Sequence, residues 1–226
     1  MTKTVALLPM KANSERVPGK NFRQFADKPL FRWILDSLMA VAEIDLVVIN
    51  TDARDILAEN GLSDSNRVMI RDRKFDLCGD LVSMNRVLAD DIEQVDADTY
   101  LMTHTTNPLL SYGTISKALQ RYRKLESQGD ADSLFSVNKI QTRFYLEDVT
   151  PLNHDPVNLV RTQDLEAWYE ENSSLYIFSR SSFSLSNARI GRNPAMFITP
   201  KIESIDIDEP EDWDMALAIA RHKIKE

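Results

Sequence analysis

Short apolar runs alternating with longer stretches of helical periodicity constrain this chain more than any other feature. Val5-Ala-Leu-Leu, Asp45-Leu-Val-Val-Ile-Asn50, Val68-Met-Ile70 and Tyr100-Leu-Met-Thr103 read as strands. Helices are expected over about 30–42, 54–60, 81–93, 114–127 and 210–225. Pro29 suits the opening of the first, Gly61 stops the second, and Asp52 is read as a helix cap. Further strands are expected over 133–138, 174–179 and 202–207, the last alternating apolar and polar residues. Such alternation predicts an α/β fold with a doubly wound, mostly parallel sheet. Ligands of these sheets gather beyond the carboxyl ends of the strands. The loops after Pro9, Thr103 and Ile205 are therefore where chemistry is expected.

At 226 residues, a single domain spanning 1–226 is expected. The irregular stretch of about 140–169, with Pro151, Asn153, Asp155 and Pro156, reads as a small insertion for dimerisation or for the acceptor side. No apolar run reaches the roughly 18–20 residues needed to cross a bilayer. The N-terminus enters a strand-like run with no secretory pattern. The single cysteine, Cys78, cannot form an intrachain disulfide, and a buried, unreactive position is expected for it. Together these point to the cytoplasm.

The formal net charge of -8 argues against a general nucleic-acid binder. Residues 1–32 nevertheless hold seven basic side chains against Glu15 and Asp27. A basic segment on an acidic body suits one local polyanion site, with a solvated charged face as the alternative. The segment includes Pro9-Met-Lys-Ala-Asn-Ser14-Glu-Arg16-Val-Pro-Gly19-Lys20-Asn21, directly after the first strand. It is a candidate triphosphate cradle: Lys11, Arg16 and Lys20 offer charge, while Ser14 and the amides near Gly19 offer hydrogen bonds. Neither GxxxxGK[ST] nor GxGxxG occurs, so a P-loop NTPase and a dinucleotide enzyme are unsupported.

This loop resembles the N-terminal signature of the acylneuraminate cytidylyltransferases, the CMP-sialic acid and CMP-Kdo synthetases. Pro9, Ser14, Lys20 and Asn21 match in register; Lys11 stands where the family usually has Arg, and Glu15 where the sialic enzymes have Lys. The likeness recurs in order at Arg73 to Ser83, Thr106 to Leu109, Arg161 to Asn172 and Ile205 to Asp212. It implies a nucleotidyltransferase (Rossmann-like) fold and CTP-dependent transfer of CMP to a small acidic acceptor, such as a sialic or Kdo-type sugar acid. Lys20, Lys11 and Arg16 would be catalytic, and Ser14, Asn21, Arg73 and Ser83 would bind CTP. His104, which replaces a family Gln, would bind the acceptor with Arg161, Gln163 and Asn172. Asp206 and Asp208, two apart on the expected strand, would share one face and hold Mg²⁺. The resemblance also implies a homodimer. Two alternatives are a phosphonate acceptor, such as 2-aminoethylphosphonate, and a nucleotide-binding protein without catalysis.

Overall fold

A computed structural model describes residues 3–79 and 81–225; Asp80, within the second matching segment, lies outside the described residues. Seven strands form one sheet: β1 (Thr4–Leu7), β4 (Leu46–Thr51), β5 (Val68–Asp72), β6 (Thr99–Thr103), β7 (Ser133–Ile140), β8 (Trp168–Ser179) and β9 (Pro194–Ile198). Their spatial order is β5-β4-β1-β6-β8-β7-β9. The ladders β5-β4-β1-β6 and β7-β9 are parallel, whereas β8 runs antiparallel to both its neighbours. A two-stranded ribbon, β2 (Gln24–Phe25) with β3 (Lys28–Pro29), precedes α1 (Leu30–Ala40). The expected α/β architecture is the observed one.

Pleating explains the double winding. Ala6, Val47, Ile49 and Leu101 point to one face, where they meet Phe31, Ile34 and Leu38 of α1 and Ile115, Leu119 and Tyr122 of α4 (Tyr112–Gln128). Val5, Leu7, Val48 and Met102 point to the other face, against Leu88 and Ile92 of α3 (Met84–Gln94) and Phe183 of α5 (Arg180–Ser186). Every strand residue named here is fully buried, as runs coated on both faces require.

The C-terminal helix α6 (Pro210–Lys225) belongs to a third cluster. Its Trp213 packs edge-on against Phe25 at 5.1 Å, and Arg23 lies 4.5 Å over the Trp213 ring. Val17, Leu30, Leu109 and Ile207 complete the cluster. In this way α6 carries the 205–209 segment to the loop that follows β1.

Three expectations need correction. Residues 202–207 form turns and loop, not a strand; Ile207 N–H donates to the Thr106 carbonyl at 2.8 Å, and Asn107 and the Ser111 N–H donate to Ile205 O and Glu203. Their alternation reflects burial of Ile207 beneath Trp213, without a ladder. Asp52 caps no helix: α2 (Arg54–Glu59) has no side-chain cap, and Asp52 Oδ1 accepts from Ala12 N–H at 2.7 Å. Cys78 is half-buried rather than buried. The irregular 140–169 stretch lies between β7 and β8 and exposes Tyr145, Leu146, Val149, Val157 and Leu159.

Candidate active site

Beyond the carboxyl end of β1, where the winding direction reverses between β4 and β6, lies a cavity of about 300 Å³. Its walls include Lys11, Ser14, Arg16, Lys20 and Asn21 of the first loop, Arg73 after β5, and His104 after β6. Three bonds shape the loop. Met10 N–H donates to Asn50 O, Ala12 N–H to Asp52, and Lys20 N–H to Val17 O. The last closes a turn with Gly19 at φ +63°, a conformation that would strain most other residues and that turns Lys20 inward. Asn21 then braces the loop, donating to Lys11 O at 2.7 Å and accepting from the Thr105 hydroxyl at 2.6 Å.

Lys20 is only 7% exposed. Its ammonium donates to Ile207 O and lies 3.8 Å from Asp208 Oδ1. Burial pushes the ammonium down from its ordinary range, against the pull of Asp208 and Asp206. Arg16 is exposed and pairs with Asp208 at 2.9 Å and with Glu209 at 3.1 Å. Solvent screens exposed pairs of this kind, so exchanging one for a phosphate costs little. The basic loop and the acidic pair therefore meet at one place, although 188 positions separate Lys20 from Asp208 in the chain.

Asp206 Oδ1 is buried without a hydrogen-bond partner. Burial raises the Asp206 pKa, which the Thr106 hydroxyl opposes and Asp208 reinforces. Asp212 accepts from the N–H groups of Asp208 and Glu209, at 3.0 and 2.8 Å, and so fixes the segment independently of the pair's side chains. Among the described residues no group of three or more His, Cys, Asp or Glu could hold a metal. Two carboxylates, one with an unsatisfied oxygen, fit magnesium if phosphate and water complete its shell.

Arg73 anchors the opposite wall. It donates to Asn50 Oδ1 at 2.9 Å, Asn50 O at 2.8 Å and Met10 O at 3.2 Å. Asn50 donates in turn to the fully buried Asp91, which also pairs with Arg71. Sequence reading missed this network because Asp91 sits on a helix whose periodicity gives no sign of a buried charge. Desolvation, partly offset by Asn50 and Arg71, pushes the Asp91 carboxyl up to about 6. Its protonated form thus favours the fold, and that contribution is lost as pH rises from about 4 through about 6. Asp91→Asn should flatten this part of the stability–pH curve, removing a slope worth on the order of 3 kcal/mol. Urea melts of both proteins between those limits would check this, and parallel curves would refute it.

The remaining predicted residues are dispersed. Ser83 is exposed at the head of α3, beside the lining residues Val82 and Met84. Asn172 is buried away from the cavity wall; its amide donates to Asn138 and Thr199, and its oxygen accepts from Ser136. Arg161 pairs with Asp164 on the exposed surface between β7 and β8, and Gln163 is exposed beside it.

A doubly wound sheet with a basic loop at its switch point and a carboxylate paired to that loop suits transfer of a nucleotidyl group. A cytidylyltransferase family model matches residues 5–219, and the chain belongs to that family. It is 23% identical to a pseudaminic acid cytidylyltransferase of Campylobacter jejuni, over 95% of this chain and 94% of that protein. It is 27% identical to a CMP-N,N'-diacetyllegionaminic acid synthase of Legionella pneumophila, over 92% of each. Among solved structures, a CMP:2-keto-3-deoxy-manno-octonic acid synthetase complexed with CTP shares the fold, with a TM-score of 0.67 at 15% identity, covering 98% of this chain and all of that one.

Proposed function

We propose that this cytidylyltransferase transfers a cytidylyl group from CTP to a small sugar acid and releases pyrophosphate. The observation that carries the reading is the pairing of Asp208 with Lys20 and Arg16, two residues that line the cavity. An acceptor oxygen attacks the α-phosphorus and gives its proton to water, as the bond from the α-phosphorus to the bridging oxygen breaks and pyrophosphate leaves with that bond's electron pair. Lys20 stabilises charge developing at the α-phosphoryl group, while Lys11 and Arg16 hold the outer phosphates. Mg²⁺ bound to Asp206 and Asp208 would neutralise charge on the leaving pyrophosphate. Ser14 donates to the phosphates with the loop amides, and Arg73 takes the nucleoside side of the cavity.

The names of the similar proteins support a sugar-acid acceptor and give no support to a phosphonate. The exposed apolar 140–169 stretch supports a homodimer that docks there. Among the described residues no helix is long and apolar enough to cross a membrane, which is compatible with work in the cytoplasm.

The test is pyrophosphate release from CTP and Mg²⁺ over a panel of Kdo, N-acetylneuraminate, pseudaminate, legionaminate and 2-aminoethylphosphonate. Turnover with one sugar acid is expected; exclusive turnover with the phosphonate overturns the acceptor class. Tight CTP binding without any turnover would favour a protein that only binds nucleotide. In the same assay His104→Gln should change kcat/KM for the acceptor by about tenfold or more, leaving the KM for CTP within about twofold.

A further inference from the structure

The cavity wall at the end of β6 is backed by a cation that the phosphate loop and the acidic pair leave unused. Arg189, three residues beyond α5, lies 3.8 Å over the ring of Tyr176. Its Nη2 donates to the Tyr176 hydroxyl at 2.9 Å, and that hydroxyl donates to Glu171. The Glu171 carboxylate is 3.8 Å from the guanidinium. The main-chain N–H of Arg189 donates to Asn85 Oδ1 at 3.2 Å, tying this segment to α3. The guanidinium is one-fifth exposed, so its position is set by packing on three sides.

Its remaining arm meets the cavity wall. Arg189 Nη1 is 3.5 Å from Nε2 of His104, a residue that lines the cavity. A guanidinium has donors only and stays protonated in proteins. Nε2 must therefore accept, and the proton of the ring resides on Nδ1. The charged groups acting on His104 are Arg189 and Lys20, both cations. Desolvation first, and these two cations after it, push its pKa down to about 3, so the ring stays neutral across the physiological range.

We propose that Arg189 is a specificity-determining positioning residue that holds the imidazole of His104 with its proton on Nδ1. With Nε2 taken up by Arg189, Nδ1–H is the donor this cavity-lining ring has left to offer, and a donor backed by a cation selects acceptors carrying an anionic group. The role in acceptor choice rests on the cytidylyl-transfer reading above, whereas the tautomer does not.

The test combines histidine ¹⁵N NMR of the substrate-free protein with steady-state kinetics. The His104 signals are identified by their loss in His104→Gln. Wild-type protein is expected to show the Nδ1–H tautomer, and Arg189→Met to shift the balance toward Nε2–H. Arg189→Met should raise the KM of the acceptor found in the panel roughly 10–100-fold while the KM for CTP stays within about twofold. Arg189→Lys, which keeps a donor-only cation, should retain the Nδ1–H form. An Nε2–H tautomer in wild type, or an unchanged acceptor KM in Arg189→Met, overturns the proposal. If Arg189→Met fails to fold, the wild-type and Arg189→Lys tautomers decide. Absence of turnover with every acceptor would sink the cytidylyl-transfer reading, and the tautomer would still be decided by the spectrum.

Discussion

Lys20→Met is expected to lower turnover by roughly 10²–10³-fold, the usual cost of deleting one preorganised charge donor from an electrostatic site. Its melting temperature should move by no more than about 4 °C. Two opposing terms set that small shift. Removing a buried ammonium relieves a desolvation cost, visible in its lowered pKa. Against this, Ile207 O loses its donor and Asp208 loses a neighbouring cation. A kinetic loss with a nearly unchanged melt would mark Lys20 as a residue placed for chemistry. The reverse result, a collapsed melt with near-normal turnover of the folded fraction, would make it a structural pin between the first loop and the 205–209 segment.

The second large effect is expected from Asp208→Ala. Turnover should fall by about 10²-fold or more, because a lost magnesium ligand is worth several kcal/mol of charge stabilisation. The fold should survive. The backbone at this point is held by Ile207 N–H on Thr106 O, by Asp212 on the N–H groups of Asp208 and Glu209, and by Trp213 in its aromatic pocket. None of these uses the Asp208 side chain. Measuring rate against Mg²⁺ concentration separates two roles. A ligand role shifts the curve to higher Mg²⁺, whereas a role confined to pairing Arg16 leaves the curve in place and changes the KM for CTP. Near-normal turnover with an unshifted magnesium curve would remove Asp208 from the metal site.

These predictions converge on a junction that no local pattern in the chain could reveal. The Ile205–Ile207 alternation reads as a strand because alternation is also what a half-buried loop produces when every second side chain meets a core. Only tertiary context, here Trp213 above Ile207 and the absence of a ladder partner, decides between the two. Asp208 reaches the basic loop without a strand because the juxtaposition depends on where α6 docks. Arg189 was missed for the opposite reason. Its segment, β9 and the short α5 have no marked periodicity, and its meeting with His104 spans 85 residues.

Apolar runs and helical spacing, read from the chain alone, determined an α/β sheet, its loops of interest and a cation-rich first loop. Hydrophobic periodicity is a local property that survives without knowledge of partners. Only the tertiary structure decided which charges meet: Lys20 and Arg16 on Asp208, Asn50 and Arg71 on Asp91, Arg189 on His104. Charge pairing acts across space, at distances set by the packing of elements far apart in the chain, and so leaves no period to read.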